Sequence, residues 1–248
     1  LHPTCMTEQE TIATLILQNV PGIGLMSMKR LIQQFGSAEE VVARHEELPS
    51  LVKGFSREQA QAIARTDLHE QAKREWEFAN KHGIRCLGLG DDDYPAHLQG
   101  CVDAPLMLFY KGSADLNSLR IVSIVGTRHA TDYGRTLCNR FVSELQSLCP
   151  DALIVSGLAY GIDICAHRAA LEHGLDTIAV LAHGLDRIYP PQHRAEATRI
   201  ISHGGLLTEF PGGTNPDRYN FVQRNRIIAG ISDAVIVVES ALKGGSLI

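Results

Sequence analysis

Gly126-Thr127-Arg128 is the first segment of the sequence whose residue types suit the binding of a phosphate group. It follows the apolar, β-branched run 120–125, and a helical pattern covers residues 133–148 after it. Glycine permits close backbone approach, threonine offers a hydroxyl and an amide, and arginine can form a forked pair with phosphate. The segment is neither a dinucleotide-binding fingerprint nor a Walker motif, so it does not indicate NAD or ATP. The alternative is a structural arginine that caps the sheet or forms a salt bridge.

A second glycine-rich segment lies between the apolar run 153–156 and a helical pattern over residues 162–173. Its Ser156, Gly157 and Gly161 predict a second anion-binding turn at a helix N-terminus. Two such turns side by side suit a polyanion better than a single mononucleotide. Asp163 and His167 stand four residues apart on one face of this helix. A metal pair or an acid–base dyad is conceivable there, but helix capping by Asp163 and a packed or surface His167 are more common arrangements.

Arginines and aromatic residues recur later in the chain. Arg187 and Tyr189 place a cation beside an aromatic ring, a pair that binds single strands through charge and base stacking. Arg224 and Arg226 flank Asn225 at the expected start of a helix. Burying two arginines is costly, so we expect at least one of them to face a ligand or a carboxylate. A third glycine-rich turn follows the last apolar run and contains Lys243, Gly244 and Ser246.

The same residue types give little support to catalysis. Thr127, Ser156 and Ser246 sit in glycine-rich turns where hydroxyls commonly hold phosphate, and no motif pairs them with a histidine and a carboxylate. The six cysteines are scattered without zinc-ligand spacing, which favours reduced, buried thiols. The sequence therefore predicts a binding protein with no catalytic residue, no metal and no cofactor. A formal net charge of -5 means that any nucleic-acid site must be a local patch.

The elements that position these segments change in type along the chain. Residues 8–66 hold helical patterns at 11–19, 26–35, 38–44 and 57–65, and a charged helix is predicted over 68–82. Short apolar runs then alternate with helices. The predicted strands are 84–89, 106–110, 120–125, 153–156, 177–181, 205–209 and 234–238, and the predicted helices between them are 133–148, 162–173 and 193–203.

Several of these strands are apolar without alternation, which is typical of a parallel sheet covered on both faces. We predict an α/β domain over residues 67–248, with a doubly wound, mostly parallel sheet, and a small all-helical domain over residues 1–66. Ligands bind beyond the carboxyl ends of strands in such a sheet, where the glycine-rich segments lie.

Pro21-Gly22-Ile23-Gly24, between two helical patterns of the first domain, has the form of a helix-hairpin-helix turn. Such a turn can present helix N–H groups to a phosphate oxygen, and an ordinary tight turn is an equally good interpretation. The longest apolar runs are far shorter than the roughly 20 residues of a membrane span, and residues 1–6 do not resemble a secretory signal. The expected location is the cytoplasm.

The ordered set of motifs from about Tyr94 onward resembles the DNA-processing protein A (DprA/Smf) family. The motifs are Gly126-Thr127-Arg128, the run from Ser156 to Asp163, the run from Gly184 to Pro190, and Asn220-Phe221 with the run from Arg224 to Gly230. The resemblance implies an extended Rossmann-like domain that binds single-stranded DNA without sequence preference and forms a homodimer. It also implies protection of incoming DNA and its transfer to the RecA recombinase during natural transformation, with a sterile-alpha-motif-like N-terminal domain.

The residues expected to bind DNA follow from these motifs. They are Gly126, Thr127, Arg128, Ser156, Gly157, Gly161, Asp163, Arg187, Tyr189, Asn220, Arg224, Asn225, Arg226, Lys243, Gly244 and Ser246. Many members of the family carry a further winged-helix-like domain after the Rossmann-like one. The family often has serine at the position of Thr127, which keeps the hydroxyl.

Two other functions compete with DNA binding. Pro211-Gly212-Gly213-Thr214 resembles the P-G-G-x-G-T loop of Rossmann-like enzymes that cleave nucleoside monophosphates, but it lacks the intervening residue and a second glycine. Such an enzyme needs a carboxylate at the sugar, for which Glu209 or Asp163 would serve. A protein-interaction scaffold is the third alternative, and it leaves the glycine-rich turns and arginines unexplained.

Overall fold

The computed structural model describes residues 6–240 of the chain. Within that range the chain forms two compact units. The first contains the residues up to Asp92 together with Pro105–Met107, and the second contains Asp93–Ala104 and the residues from Leu108 onward. The sequence predicts two domains that meet between residues 66 and 67. This domain boundary stays a prediction.

The first unit is mainly helical. Thr7 caps the first helix, and Ser56 forms a capping box with Gln59 at the start of the fifth, because each side chain accepts a backbone N–H that the helix leaves unpaired. The five helical stretches predicted from the sequence are confirmed. The elements are α1 (Glu8–Gln18), α2 (Leu25–Phe35), α3 (Ala38–Ala43), a 3₁₀ turn (His45–Glu47), α4 (Leu48–Leu51), α5 (Arg57–Ile63), α6 (Thr66–Lys81) and β1 (Arg85–Gly88).

The remaining elements alternate strands with helices, as predicted. They are α7 (Ala96–Gln99), β2 (Met107–Gly112), β3 (Ile121–Val125), α8 (Asp132–Leu148), β4 (Leu153–Ser156), α9 (Ile162–His173), β5 (Thr177–Val180), a 3₁₀ turn (Pro191–His193), α10 (Arg194–Ser202), β6 (Gly204–Thr208), α11 (Arg218–Gly230) and β7 (Ala234–Val237). One prediction was wrong: Arg224 and Arg226 lie in the middle of α11 and not at its start, because Asp217 caps this helix well before them.

The strands form one sheet in the order β1-β2-β6-β5-β4-β3-β7. Strands β6, β5, β4, β3 and β7 are parallel, and β2 pairs with β6 in the antiparallel sense. The mostly parallel sheet predicted from the sequence is thus confirmed. Its parallel strands end at a common edge, which we call the carboxyl edge: the loops 126–131, 157–161, 181–190 and 209–217, with residues 238–240.

Successive residues of a strand point to opposite faces of the sheet, and helices pack on both faces. Ile124 packs in a cluster with residues of α8 and α9, whereas Ser123 donates to the Ile228 carbonyl of α11 at 2.7 Å on the other face. The chain runs outward from β3 to β6 and then returns, through α11, to place β7 beside β3. This reversal makes the space between β3 and β7 the topological switch point, where doubly wound folds bind ligands.

The core of the α/β part is apolar and closely packed. Residues such as Ile154, Ile162 and Leu206 are fully or almost fully buried, and each such side chain contributes about 1.5–3 kcal/mol to folding. Alanines at positions 166, 169 and 170 of α9 let this helix approach its neighbours. No helix within residues 6–240 combines the length and hydropathy needed to cross a bilayer.

Candidate functional site

The loop after β3 lies at the switch point and is bound to the segment after β7. Thr127 N donates to the Glu239 carbonyl at 2.6 Å, and the Glu239 carboxylate accepts from Thr131 N at 3.0 Å. The Thr127 hydroxyl accepts from His129 N at 3.2 Å. Thr127 therefore shapes the loop through its amide and its hydroxyl, while the Arg128 side chain that follows it is exposed.

The loop after β4 packs directly against the loop after β3. Ile162 N donates to the Thr127 carbonyl at 3.1 Å, and Gly161 has a φ of +79°. A Cβ at Gly161 would lie 2.0 Å from the Thr127 carbonyl oxygen, so only glycine fits this position. The two predicted anion-binding turns are thus in contact. Ser156 is fully buried, and its hydroxyl donates to the Ile124 carbonyl at 2.5 Å instead of facing solvent.

A buried arginine crosses the carboxyl edge. Arg224 is 3% exposed, and its Nη1 donates to the Gly157 and Val180 carbonyls at 2.6 and 2.7 Å. Its Nη2 lies 4.0 Å from Asp163 Oδ2. Gly157 makes room for the guanidinium, since a Cβ there would be 2.0 Å from Nη1. Gly161 is the cap residue of α9, so Asp163 does not occupy the capping position that the sequence suggested.

Burial sets the protonation of this region. Desolvation raises the pKa of Asp163, and the nearby Arg224 and backbone hydrogen bonds oppose that rise. His167 is fully buried, and desolvation lowers its pKa to about 3. Its Nδ1 lies 2.7 Å from Thr177 Oγ1, which itself donates to the Ile154 carbonyl, so the histidine is neutral with its proton on Nδ1. Asp163 faces Arg224 and His167 faces Thr177, so the two side chains have different partners.

The exposed Arg128 and Tyr189 and the partly buried Phe221 form a cluster that we call the arginine–aromatic stack. Arg128 Cζ lies 4.8 Å from the Phe221 ring centroid, within range of a cation–π interaction. The Tyr189 and Phe221 ring centroids are 6.0 Å apart, and Tyr189 is 43% exposed. The His183 Nε2 accepts from Tyr189 N at 3.2 Å, which fixes the backbone that carries the tyrosine. A cation and two rings therefore share one solvent-facing surface.

Arg187 lies on the neighbouring loop and is held by two partners. Its Nε and Nη2 donate to Asp186 Oδ2 at 3.0 and 2.8 Å, and its Nη1 donates to Asn215 Oδ1. Asp186 also accepts from Gly213 N at 3.1 Å, so the loops after β5 and β6 are joined here. The Arg187 side chain keeps 39% of its surface exposed and can still reach a ligand.

Arg226 has its partners outside the stack. Its Nη1 donates to the Asp103 carbonyl at 2.8 Å, and its Nη2 pairs with Glu209. Desolvation raises the pKa of Glu209, which the charge of Arg226 opposes. Arg224 and Arg226 therefore both face carboxylates, which satisfies the expectation that at least one of them would face a ligand or a carboxylate.

The other residues expected to bind DNA are divided between the interior and the surface. Asn220 is 8% exposed and donates to the Asn215 carbonyl at 3.1 Å, while Asn225 is partly exposed on α11. Lys243, Gly244 and Ser246 lie outside the described residues. The structure brings Gly126, Arg128, Gly157, Gly161 and Tyr189 together at the carboxyl edge, and the binding role of each stays a prediction.

Phe221 is the member of the stack that was not among the predicted binding residues, although it lies in a motif used for the family resemblance. A signal for it exists in the sequence. Phe221 and Arg224 are three residues apart on one helix, a spacing that brings side chains together. The arrangement as a whole can hold a phosphate by charge and a base by stacking on one surface.

Comparison with known proteins agrees with this geometry. A family model described as DNA recombination-mediator protein A matches residues 85–248. Protein Smf from Synechocystis sp. is 37% identical over 254 residues, covering 98% of this chain and 62% of that protein. DNA processing protein DprA from Streptococcus pneumoniae is 42% identical over 158 residues, covering 64% of this chain and 55% of that protein. The chain thus spans less than two thirds of the length of either relative.

Solved structures show the same fold. The X-ray structure of DNA processing protein A from Streptococcus pneumoniae matches with a TM-score of 0.76 at 28% identity, covering 98% of this chain and 82% of that chain. A structure of DNA processing protein A from Helicobacter pylori, described for its single-stranded DNA binding mode, matches with a TM-score of 0.59 at 32% identity. It covers 66% of this chain and 73% of that chain.

Proposed function

This chain belongs to the DNA recombination-mediator protein A family, and on that premise we propose that it binds single-stranded DNA, without sequence preference, at the carboxyl edge. The arginine–aromatic stack is the observation that carries the proposal. Arg128 offers a charged fork for a phosphate, and Phe221 and Tyr189 offer rings for stacking. The Helicobacter pylori relative, described for its single-stranded DNA binding, supports the choice of ligand.

The absence of sequence preference follows from the chemistry of these groups. Arginine and backbone N–H groups contact phosphates, which are the same at every nucleotide. Aromatic rings stack on any base, at about 1–3 kcal/mol per base. The acidic net charge of -5 confines the attraction to the local cations Arg128 and Arg187.

We further propose the cellular role that family membership suggests. In this role a homodimer of the protein protects incoming DNA in the cytoplasm and helps to load the RecA recombinase during natural transformation. Support comes from the family match and from the relatives named DNA processing protein DprA.

We also propose that the protein has no catalytic turnover. The carboxylates that a nucleoside monophosphate-cleaving enzyme would need are both engaged: Asp163 faces Arg224, and Glu209 pairs with Arg226. Each is also largely buried, so neither is poised to meet a sugar in solution. A cofactor-free binder accounts for the site better than the enzyme does.

The salt dependence of binding tests the proposed function. Two arginine–phosphate contacts on a single strand, from Arg128 and the partly exposed Arg187, would give a slope of log affinity against log salt of about -1.4. Fluorescence anisotropy with a labelled oligonucleotide at several salt concentrations measures this slope. An affinity that does not change with salt would show that the carboxyl edge does not bind the phosphate backbone.

Replacing Arg128 by alanine should flatten the salt slope by about 0.7, the share of one phosphate contact. The chain should stay folded because Arg128 is exposed. Arg140→Ala is the matched control: this exposed arginine pairs only with its helix neighbour Glu144 on α8, so its loss should leave the slope unchanged. Equal slopes for Arg128→Ala and the parent protein would remove Arg128 from the interface.

Incubation with nucleoside monophosphates and with DNA, in the presence of magnesium, manganese or zinc, tests the absence of turnover. We expect no release of free base and no strand cleavage by chromatography and gel analysis. If a reaction occurs and Asp163→Ala or Glu209→Ala abolishes it, the nucleotide-cleaving alternative replaces the proposal.

A further inference from the structure

Arg224 connects two loops of the carboxyl edge from inside the protein. The carbonyls that accept from its Nη1 belong to Gly157, just after β4, and to Val180, the last residue of β5. One planar guanidinium thus fixes the spacing of two neighbouring strand ends. With 3% of its surface exposed, the side chain is not available to a DNA strand in solution.

Arg224 also contacts the arginine–aromatic stack. Its Cζ lies 5.6 Å from the Phe221 ring centroid, and the exposed Arg128 lies 4.8 Å from the same centroid. The ring therefore interacts with one buried and one exposed guanidinium. Because Arg128 packs on the Phe221 ring, a side chain that fixes the position of Phe221 also fixes the position of Arg128.

We infer that Arg224 is a positioning residue: it holds Phe221 and the loops after β4 and β5 so that Arg128 meets a phosphate, and it does not contact DNA itself. This inference rests on the proposed function. It differs from the prediction made from the sequence, in which Arg224 was grouped with the residues that bind DNA. The 2.0 Å separation between a Cβ at Gly157 and Arg224 Nη1 shows that the backbone is shaped around this side chain.

Asp163 determines how the inference must be tested. Its Oδ2 lies 4.0 Å from Arg224 Nη2, and both side chains are buried. Removing one member of a buried pair leaves an uncompensated charge and destabilises a protein strongly, whereas replacing both members is often tolerated. The test variant is therefore the double substitution Arg224→Met with Asp163→Asn.

A thermodynamic cycle compares the DNA affinities of Arg128→Ala, of the Arg224→Met/Asp163→Asn variant and of the protein that carries all three substitutions. This comparison shows whether Arg224 acts through Arg128 or contacts DNA itself. We expect Arg128→Ala and the Arg224→Met/Asp163→Asn variant each to weaken single-stranded DNA binding about tenfold, which corresponds to about 1.4 kcal/mol. If Arg224 acts through Arg128, the combined variant should bind no more than about threefold more weakly than either. Effects that multiply to about a hundredfold would overturn the inference, because they would show that Arg224 acts independently of Arg128.

Arg224→Lys is the second variant, and it keeps the charge beside Asp163. Lysine lacks the planar fork that reaches both carbonyls, so we expect weaker binding although the protein still folds. If Arg224 contributed charge alone, Arg224→Lys would bind as tightly as the parent protein, which would also overturn the inference. Circular dichroism melting of each variant, with binding measured well below Tm, separates lost affinity from lost fold.

The matched control is Arg226→Met with Glu209→Gln, which removes the other arginine–carboxylate pair of α11. Whatever the size of its effect on affinity, that effect should multiply with the effect of Arg128→Ala, because the partners of Arg226 are Asp103 and Glu209 and not members of the stack. Failure of the inference and failure of the proposed function are distinct. If the parent protein shows no salt-dependent binding to single-stranded DNA, the proposed function and the inference are both wrong. If the parent protein binds but the effects of the Arg128 and Arg224 variants multiply, only the positioning role of Arg224 is wrong.

Discussion

Several polar side chains at the carboxyl edge are buried and form hydrogen bonds within the protein, so they stabilise the site and do not face solvent. Ser156 and Arg224 are buried at the ends of the strands, where Ser156 donates to the Ile124 carbonyl and Arg224 donates to the Gly157 and Val180 carbonyls. A buried polar group without a partner costs free energy, so these bonds constrain the strand ends on which the exposed residues stand. The surface left to a ligand is consequently small and centres on Arg128, Tyr189 and Phe221.

His167 should make the protein sensitive to acid. Its pKa is about 3 in the folded protein, below the value of about 6.5 in an unfolded chain. Between these values the unfolded state binds a proton that the folded state does not, so stability falls as pH drops below about 6.5. The loss approaches about 1.4 kcal/mol per pH unit from this group. His167→Asn can still donate to Thr177 but does not titrate, so urea unfolding from pH 7 to pH 5 should show a shallower loss for the variant. Parallel curves for the two proteins would rule out His167 as the source.

At the scale of the elements, the position of each loop depends on contacts with the next loop. The turn after β4 is held against the turn after β3 through Ile162 N and the Thr127 carbonyl. The turn after β3 is in turn held by the segment after β7 through Thr127 N. These backbone bonds carry no sequence signature, because any residue supplies an N–H and a carbonyl.

Gly161→Ala should destabilise the protein far more than Gly174→Ala. Both glycines flank α9 and have positive φ, +79° and +75°. The space around them differs: a Cβ at Gly161 overlaps the Thr127 carbonyl at 2.0 Å, whereas nothing lies within 4 Å of a Cβ at Gly174. We expect about 1 kcal/mol for Gly174→Ala, from the left-handed backbone alone, and about 1–3 kcal/mol more for Gly161→Ala, where a ψ of -124° adds backbone strain to the overlap. Denaturant unfolding measures both, and equal costs would contradict the close contact between the loops.

The strands and most helices could be predicted from the sequence because each is an apolar run or a periodic pattern bounded by turn residues. The strand order and the antiparallel direction of β2 could not, since they depend on packing between distant segments. The start of α11 was missed because its first two turns carry mostly polar and aromatic residues, and the apolar pair Ile227 and Ile228 comes only after them. The glycine-rich turns and Arg128 were found from residue types alone. The burial of Arg224 was not predictable, because arginine is rarely buried without a partner that only the fold supplies.

At the scale of the whole molecule, the reversal of strand order sets the location of the site. Strands β3 to β6 proceed in one direction and β7 returns to the other side of β3. The resulting crevice collects the loops after β3, β4 and β7, and α11 brings Phe221 to the same edge. A protein with a net charge of -5 can in this way present a local cationic and aromatic surface.

Single-stranded DNA should bind more tightly than duplex DNA of equal length. The bases of a duplex are already stacked on each other, so they cannot stack on Tyr189 or Phe221. The whole chain and a fragment of residues 67–248 should be titrated side by side. If the carboxyl edge is sufficient, the fragment should keep its affinity within about threefold, or about 0.6 kcal/mol.

The fragment exposes the face of α6 that packs in the first unit, so its melting curve has to accompany the titration. A folded fragment that binds much more weakly would assign part of the DNA contact to the helical N-terminal region. Equal affinity of the whole chain for both forms of DNA would remove base stacking from the binding mode.

The interlocking of the loops also limits how the protein can be redesigned. Gly161 joins the loop after β4 to the loop after β3, and Arg224 joins the end of β4 to the end of β5. The loop after β6 is joined to the loop after β5 as well, because Asp186 accepts from Gly213 N. A single loop taken from another protein would not fit its neighbours, so we expect an exchange to succeed only when these four loops are replaced together with α11.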